Sequence, residues 1–214
     1  MDAAAGQALS RRRFWLAVGL AALVLVLGAW LSSGTLAPYG THVRGECEYR
    51  HNIDHPHFLA PFKMLEGKPR AEWEWSVVLR RVLHPILAYP WVKAFGFELG
   101  GFLFNIFIHV LALVAIAHFF RRFFDARAAL LSTWLFATYP GWAYWIGLPY
   151  SYAFIVPGSV ACAIGLLWWR EAPSLRRSAL AACVVGVVGL GYDLMPFFGG
   201  ALVFLLIGYR RWRD

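Results

Sequence analysis

Long apolar runs recur along the whole chain of 214 residues, and several of them begin or end at a cluster of arginines. The sequence is 60% hydrophobic and only 15% charged, with a mean hydropathy of +0.55. A soluble core of this size could not hide so many apolar side chains. The sequence therefore predicts an all-α, polytopic integral membrane protein that forms a single membrane domain.

Charge and cysteine content argue against other classes of protein. The formal net charge is +8, but the basic residues fall in short clusters at the ends of apolar runs, which is a signal of membrane topology. Three cysteines, two of them inside apolar segments, do not make a disulfide framework. We therefore expect membrane lipids, and no nucleic acid, among the partners.

The first apolar run covers residues 14–31 and follows three arginines at 11–13. At ~1.5 Å rise per residue it is long enough to cross a hydrocarbon core of ~30 Å. A cleaved signal peptide is the alternative, but its apolar region is usually about 7 to 15 residues long and ends at a small-residue cleavage site. We therefore predict a retained signal anchor with a cytoplasmic N-terminus. Residues 33–98 then form a long external loop.

The second half of this loop has helical periodicity. Apolar residues recur at spacings of three and four over 75–87, with Arg81 and His84 on another face. The pattern predicts an amphipathic helix over about 72–89 that lies in the membrane interface and is anchored by tryptophans. Two prolines are expected to bend or end this helix, Pro85 and Pro90.

The remaining apolar stretches predict five more spans, over residues 99–120, 130–147, 153–169, 179–192 and 196–209. The stretch after residue 179 could also be one long helix, but a hairpin with Asp193 at its outer apex keeps every basic cluster on one side. About six spans with both termini cytoplasmic follow. The arms of this hairpin are short, so Asp193 would lie below the outer lipid surface, where a carboxylate is costly unless it is paired or hydrated. Asp193 is therefore a binding-site candidate, and a solvated turn aspartate is the alternative.

The external loop contains a spaced pattern directly after the first predicted span. Asp54 is followed by Phe58, Leu65 and Gly67, which reads D-x-x-x-[aromatic]-x-x-x-x-x-x-L-x-G. A proline-rich stretch, an arginine-bearing turn and a late hairpin near a polar residue follow in order. In order and spacing the chain resembles the N-terminal part of the GT-C glycosyltransferases, membrane enzymes that use polyprenyl-phosphate sugars, such as protein mannosyltransferases and the aminoarabinose transferase of lipid A.

The resemblance implies a reaction and a set of residues. Asp54 matches the loop carboxylate, which would act as general base on the acceptor hydroxyl, and cations would stabilise the leaving lipid phosphate. The expected substrate-binding residues are Arg50, Arg80, Arg81, His84, Tyr150, Tyr152 and Asp193. Tyr150 and Tyr152 stand in a turn where several family members carry an acidic residue. Many family members are also far longer than this chain.

Other roles for these residues remain open. Asp54 could pair with Arg50 or cap a short helix that begins near Pro56. Arg80 and Arg81 could extend to lipid headgroups. A divalent metal, Mg²⁺ or Mn²⁺, could also bind in the loop, although the spacing of the ligands matches no standard zinc pattern. The candidate ligands are Glu46, Glu48, His55 and His57.

The leading hypothesis is a glycosyltransferase that moves a sugar from a polyprenyl-phosphate donor to an acceptor on the external face of a membrane. The alternative is a non-catalytic membrane subunit or lipid-binding scaffold of GT-C-like fold, with a partner subunit that supplies a C-terminal half. A small transporter or channel is disfavoured because few ionisable groups fall within the spans. The high alanine, leucine and arginine content is typical of GC-rich bacteria. We therefore expect a bacterial inner membrane, with the loop in the periplasm.

Overall fold

The computed structural model describes residues 10–35, 55–72, 83–141, 146, 151–172 and 174–189, and within these ranges it contains helices and no strand. The prediction of an all-α fold is confirmed for this part of the chain. The α-helices are α1 (Arg11–Thr35), α2 (His55–Leu65), α3 (Leu83–Phe95), α4 (Phe97–Phe123), α5 (Ala126–Thr138), α6 (Ile155–Glu171) and α7 (Leu175–Gly189). Short 3₁₀ turns cover Arg70–Glu72 and Ser151–Phe154.

Two of the described helices are long and apolar enough to cross a membrane. They cover Arg11–Leu31 in α1 and Leu99–Phe123 in α4. The other predicted spans overlap shorter helices of 13, 17 and 15 residues, except for 196–209, which lies outside the described residues. Two candidate spans are therefore present by length and composition, and the six-span topology stays a prediction.

Helices α1 and α4 run antiparallel along each other. The Trp30 and Phe102 rings lie 5.9 Å apart near one end, and the Arg121 guanidinium lies 4.6 Å from the centre of the Phe14 ring near the other. The buried face of α1 repeats at spacings of three and four, and two alanines in it let the helix backbones approach closely. This face consists of Phe14, Val18, Ala21, Leu25 and Ala29.

Helices α5, α6 and α7 continue the antiparallel pattern. Arg122 at the end of α4 pairs with Glu171 at the end of α6, so these two helices run parallel and end at the same level. Helix α7 returns alongside α6, because Val188 packs on Gly158 near the start of α6. The chain therefore passes from one end of the bundle to the other with each of α1, α4, α6 and α7.

One end of the bundle collects arginines from three separate parts of the sequence. The start of α1, the α4–α5 turn and the α6–α7 turn meet there, through the contacts of Arg121 with Phe14 and of Arg122 with Glu171. We call this the arginine end. It contains Arg11, Arg12, Arg13, Arg121, Arg122, Arg127, Arg170, Arg176 and Arg177.

The short helix α3 folds back against α4 through a tight glycine junction. Gly96 joins the two helices with a φ of 83°, and Gly100 faces the backbone of Trp91 with no room for a Cβ atom. Helix α3 runs on to Phe95, past Pro90 and beyond the predicted end near residue 89. Burial of its Ala88 face against α4 offsets the hydrogen bond that Pro90 cannot donate. Residues 73–82 of the predicted interfacial helix lie outside the described part of the chain.

Candidate functional site

The opposite end of the bundle is formed by α2, α3, the first half of α4 and the Ser151–Phe154 turn, which we call the distal end. An aromatic and apolar cluster holds these elements together. Phe62 of α2 meets the edge of Phe97 at 5.2 Å, and it shares one buried cluster with Phe104 and Phe154. The distal end is therefore a packed unit, and α2 is part of it.

Helix α2 has a well-defined C-terminus. The N–H of Lys68 donates to the carbonyl of Lys63, and the N–H of Gly67 donates to the carbonyl of Met64, each at 3.0 Å. This pair of bonds is a Schellman motif, and it needs the left-handed φ of 69° that Gly67 adopts. The L-x-G end of the sequence pattern is thus a helix stop.

The N-terminus of α2 directly follows Asp54 in the sequence. The helix begins at His55, so Asp54 stands at the position where a side chain caps a helix, although Asp54 itself lies outside the described residues. The structure therefore gives only the start of α2, at the residue after Asp54 in the sequence, and the role of Asp54 stays a prediction.

His84 is the one predicted binding residue whose side chain the structure describes, and it is 1% exposed. Its Nε2 lies 3.0 Å from Oδ1 of Asn105, and since an amide oxygen only accepts, Nε2 carries the proton and donates it. Burial lowers the pKa of His84 to about 4, although the bond to Asn105 acts in the opposite direction. His84 is therefore neutral at pH 7. The structure turns this side chain into the protein, whereas the helical pattern predicts it on a polar face with Arg81. Its role in binding phosphate stays a prediction.

Asn105 is the centre of a buried polar network that the sequence analysis missed. Its Nδ2 donates to the carbonyl of Ile146 at 3.3 Å, while its Oδ1 accepts from His84. One turn further along α4, Nδ1 of His109 donates to the Asn105 carbonyl at 2.8 Å, and Nε2 of this buried ring has no hydrogen-bond partner among the described residues. The signal in the sequence was a pair of polar residues at i and i+4 in an apolar helix, where unpaired polar groups are costly.

The network can position groups through its imidazole and amide side chains. Its histidine and amide tie α3 to α4 and to the backbone at residue 146. Among the described side chains, no group of three or more His, Cys, Asp or Glu residues could hold a metal ion. The described part of the distal end is therefore held together by hydrogen bonds between α3, α4 and the backbone at residue 146.

An apolar groove runs between α4 and α6 from the distal end. Its volume is about 240 Å³, and Phe154 lies at its distal side. Small residues form much of its wall, and every lining residue is apolar. The lining residues are Ile108, Leu111, Ala112, Ala115, Phe154, Pro157, Gly158, Val160, Ala161 and Val188. A groove of this shape and chemistry suits a hydrocarbon chain.

Most of the predicted site residues lie outside the described part of the chain: Glu46, Glu48, Arg50, Asp54, Arg80, Arg81, Tyr150 and Asp193. His55, His57 and Tyr152 are described in their backbone, and all three stand at the distal end, in α2 and in the Ser151–Phe154 turn. His84 packs 6.5 Å from the Phe154 ring of that turn. Four predicted positions thus share one end of the bundle, and their roles remain predictions.

Comparisons of the chain with protein-family models, with curated proteins and with solved structures find no significant match. The function of this protein must therefore be inferred from its own residues and geometry.

Proposed function

We propose that this protein is an integral membrane glycosyltransferase that moves a sugar from a polyprenyl-phosphate donor to an acceptor on the external face, with Asp54 as general base. The observation that carries the proposal is the position of Asp54 directly before α2, which packs into the distal end beside the apolar groove. A catalytic loop and a hydrocarbon-binding groove would then meet at the membrane surface.

The membrane location is supported by the surfaces of the helices. Along α1, Leu16, Leu20, Leu23 and Leu27 are each at least half exposed, and exposed leucines and phenylalanines also occur on α4 and α5. Apolar patches of this extent are rare on monomeric soluble proteins, and they are favourable in lipid. We take these surfaces to face the bilayer.

The orientation is supported by the arginine end. Arginines concentrate in short cytoplasmic turns of membrane proteins, so the arginine end would face the cytoplasm and the distal end the outside. A sixth span over 196–209 would return the C-terminus to the cytoplasm. In a bacterial inner membrane, the distal end with its loops would then face the periplasm.

The chemistry would be that of a base and a set of cations. The Asp54 carboxylate would take the proton from the acceptor hydroxyl. The hydroxyl oxygen would attack the anomeric carbon at the same time, and the bond from that carbon to the lipid phosphate would break. Arg50, Arg80 and Arg81 would stabilise the negative charge of the leaving phosphate, since a guanidinium can bind two phosphate oxygens at once. Neutral, buried His84 would hold α3 in place beside them.

The test must separate a general base from a helix cap, because Asp54 stands where both roles are possible. Asparagine caps a helix about as well as aspartate but cannot accept the proton. Asp54→Asn should therefore abolish release of polyprenyl phosphate from the donor while leaving the melting temperature within a few degrees of wild type. Asp125→Asn is the matched control. Asp125 caps α5 through bonds to the N–H groups of Arg127 and Ala128, at the arginine end, and this variant should keep full activity.

The donor is identified first, by native mass spectrometry of the protein extracted gently from its own membrane. A bound polyprenyl phosphate supplies the carrier for the transfer assay. Wild-type activity in Asp54→Asn would rule out the base. A stoichiometric second polypeptide without such a lipid would favour the non-catalytic subunit instead.

A further inference from the structure

The arginine end carries far more positive charge than its carboxylates can balance. Nine arginines meet there, with two carboxylates in the same described segments. Asp125 is occupied by two backbone N–H groups, at 2.7 and 2.8 Å. Glu171 accepts two hydrogen bonds from Arg122, at 3.0 and 2.6 Å. Among the described residues, the other arginines at this end have no acidic partner.

Two turns at this end also expose large apolar side chains beside the arginines. Phe124, in the α4–α5 turn, is 61% exposed, and Leu175, at the start of α7, is 88% exposed. An apolar side chain at a turn gains free energy when it enters the boundary between lipid headgroups and acyl chains, while neighbouring arginines reach the phosphates. This combination favours a lipid surface over a free phosphate or a nucleotide as the partner.

Several of the arginine side chains are already held in place. The Arg177 guanidinium lies 4.6 Å from the centre of the Trp168 ring, and it donates to the Trp168 carbonyl at 2.9 Å. Arg121 lies over Phe14 in the same way. Guanidinium groups fixed on aromatic rings lose little further freedom when they bind a phosphate.

We propose that the arginine end binds the headgroups of anionic phospholipids of the membrane leaflet that it faces. This inference rests on the membrane location proposed above, and it is independent of sugar transfer. The surface takes the phosphate groups of lipids such as phosphatidylglycerol through the exposed arginines, and Phe124 and Leu175 enter the lipid between them. Zwitterionic phosphatidylcholine binds less well, because its own positive charge is repelled by the arginines.

The experiment uses the full chain in a neutral detergent with an equimolar mixture of phosphatidylglycerol and phosphatidylcholine, and native mass spectrometry counts each bound lipid. Arg127 and Arg176 are exposed in the first turns of α5 and α7, so their replacement should leave the fold intact. Removal of each arginine, as Arg127→Gln or Arg176→Gln, should lower the preference for phosphatidylglycerol about fivefold. Lys93→Gln removes the same charge from an exposed site on α3 and should leave the preference unchanged.

Equal binding of the two lipids by the wild type, or an equal loss in Lys93→Gln, would overturn this inference. The same samples report separately on the proposed function. A preference for phosphatidylglycerol in a protein that binds no polyprenyl phosphate would refute the transferase and uphold the lipid surface. Sugar transfer by a protein with no preference between the two lipids would uphold the transferase and refute the lipid surface.

Discussion

Replacing Asn105 by leucine should destabilise the protein more than replacing Asn105 and His84 together. Leucine branches at Cγ as asparagine does, although it is larger, and it makes no hydrogen bond. Asn105→Leu therefore leaves the Nε2–H of His84 and the carbonyl of Ile146 without their partner. Each buried polar group left unpaired costs about 1–3 kcal/mol. The expected loss in the free energy of unfolding is therefore about 2–6 kcal/mol.

The double variant removes one of these two unpaired groups. In His84→Phe/Asn105→Leu the aromatic ring remains but the N–H is gone, so about 1–3 kcal/mol should be recovered relative to Asn105→Leu alone. A double variant that is more stable than Asn105→Leu is the distinctive result, because two independent core substitutions would add their costs. In the wild type, the centres of the His84 and Phe104 rings lie 5.3 Å apart. The phenyl ring at position 84 would still pack against Phe104.

The assay is thermal unfolding of the full chain in one fixed detergent, followed by circular dichroism. For a chain of this size, 1 kcal/mol corresponds to about 2–4 °C in melting temperature, so Asn105→Leu should melt about 4–24 °C below wild type. Thr133→Val is the control. Thr133 is also buried, but its hydroxyl bonds to the Ala129 carbonyl of its own helix, so the variant should lose about 1 kcal/mol or less. A double variant that melts below Asn105→Leu would refute the reasoning.

Two further predictions follow from the same region. His84 takes up a proton below about 6.5 when unfolded but only near 4 when folded, because burial lowers its pKa, so stability should fall as the pH drops from 6.5 to 4. The melting temperature of His84→Phe should fall less over this range, and equal slopes for the two proteins would contradict the assignment. Gly100→Ala should cost about 1–3 kcal/mol by pushing α3 away from α4 at Trp91, whereas Gly19→Ala, with open space around it, should be neutral or slightly stabilising. Unchanged melting of Gly100→Ala would show that the junction can relax.

The parts of the fold that the sequence predicted well are those set by long, uniform patterns. The predicted spans at 14–31 and 99–120 fall inside α1 and α4, because a long apolar run between arginines leaves little freedom in where a helix lies. The pattern from Asp54 to Gly67 likewise coincides with a helix and its stop, since a glycine at a left-handed position ends a helix locally. Such features depend on neighbours in sequence.

The position of His84 could not be predicted, because it depends on a partner 21 residues away. Periodicity in the sequence shows which residues share a face of a helix. Both faces of the segment around His84 carry apolar residues, so the periodicity does not show which of the two faces packs against another helix. Asn105 makes the His84 face the buried one, since it gives the imidazole the hydrogen bond that a buried polar group requires.

Helix length alone does not show where the chain passes from one end of the bundle to the other. Helix α5 has only 13 residues, yet α6 begins at the distal end, so the chain between Ala126 and Phe154 must travel from the arginine end to the distal end. Ile146 marks this path, because its carbonyl meets Asn105 in the first half of α4. The predicted span over 130–147 stays a prediction, because α5 ends at Thr138 and residues 142–145 lie outside the described part of the chain. What the structure adds to the sequence here is a single bond, since a carbonyl buried away from water needs a donor and Asn105 gives one to Ile146 from another helix.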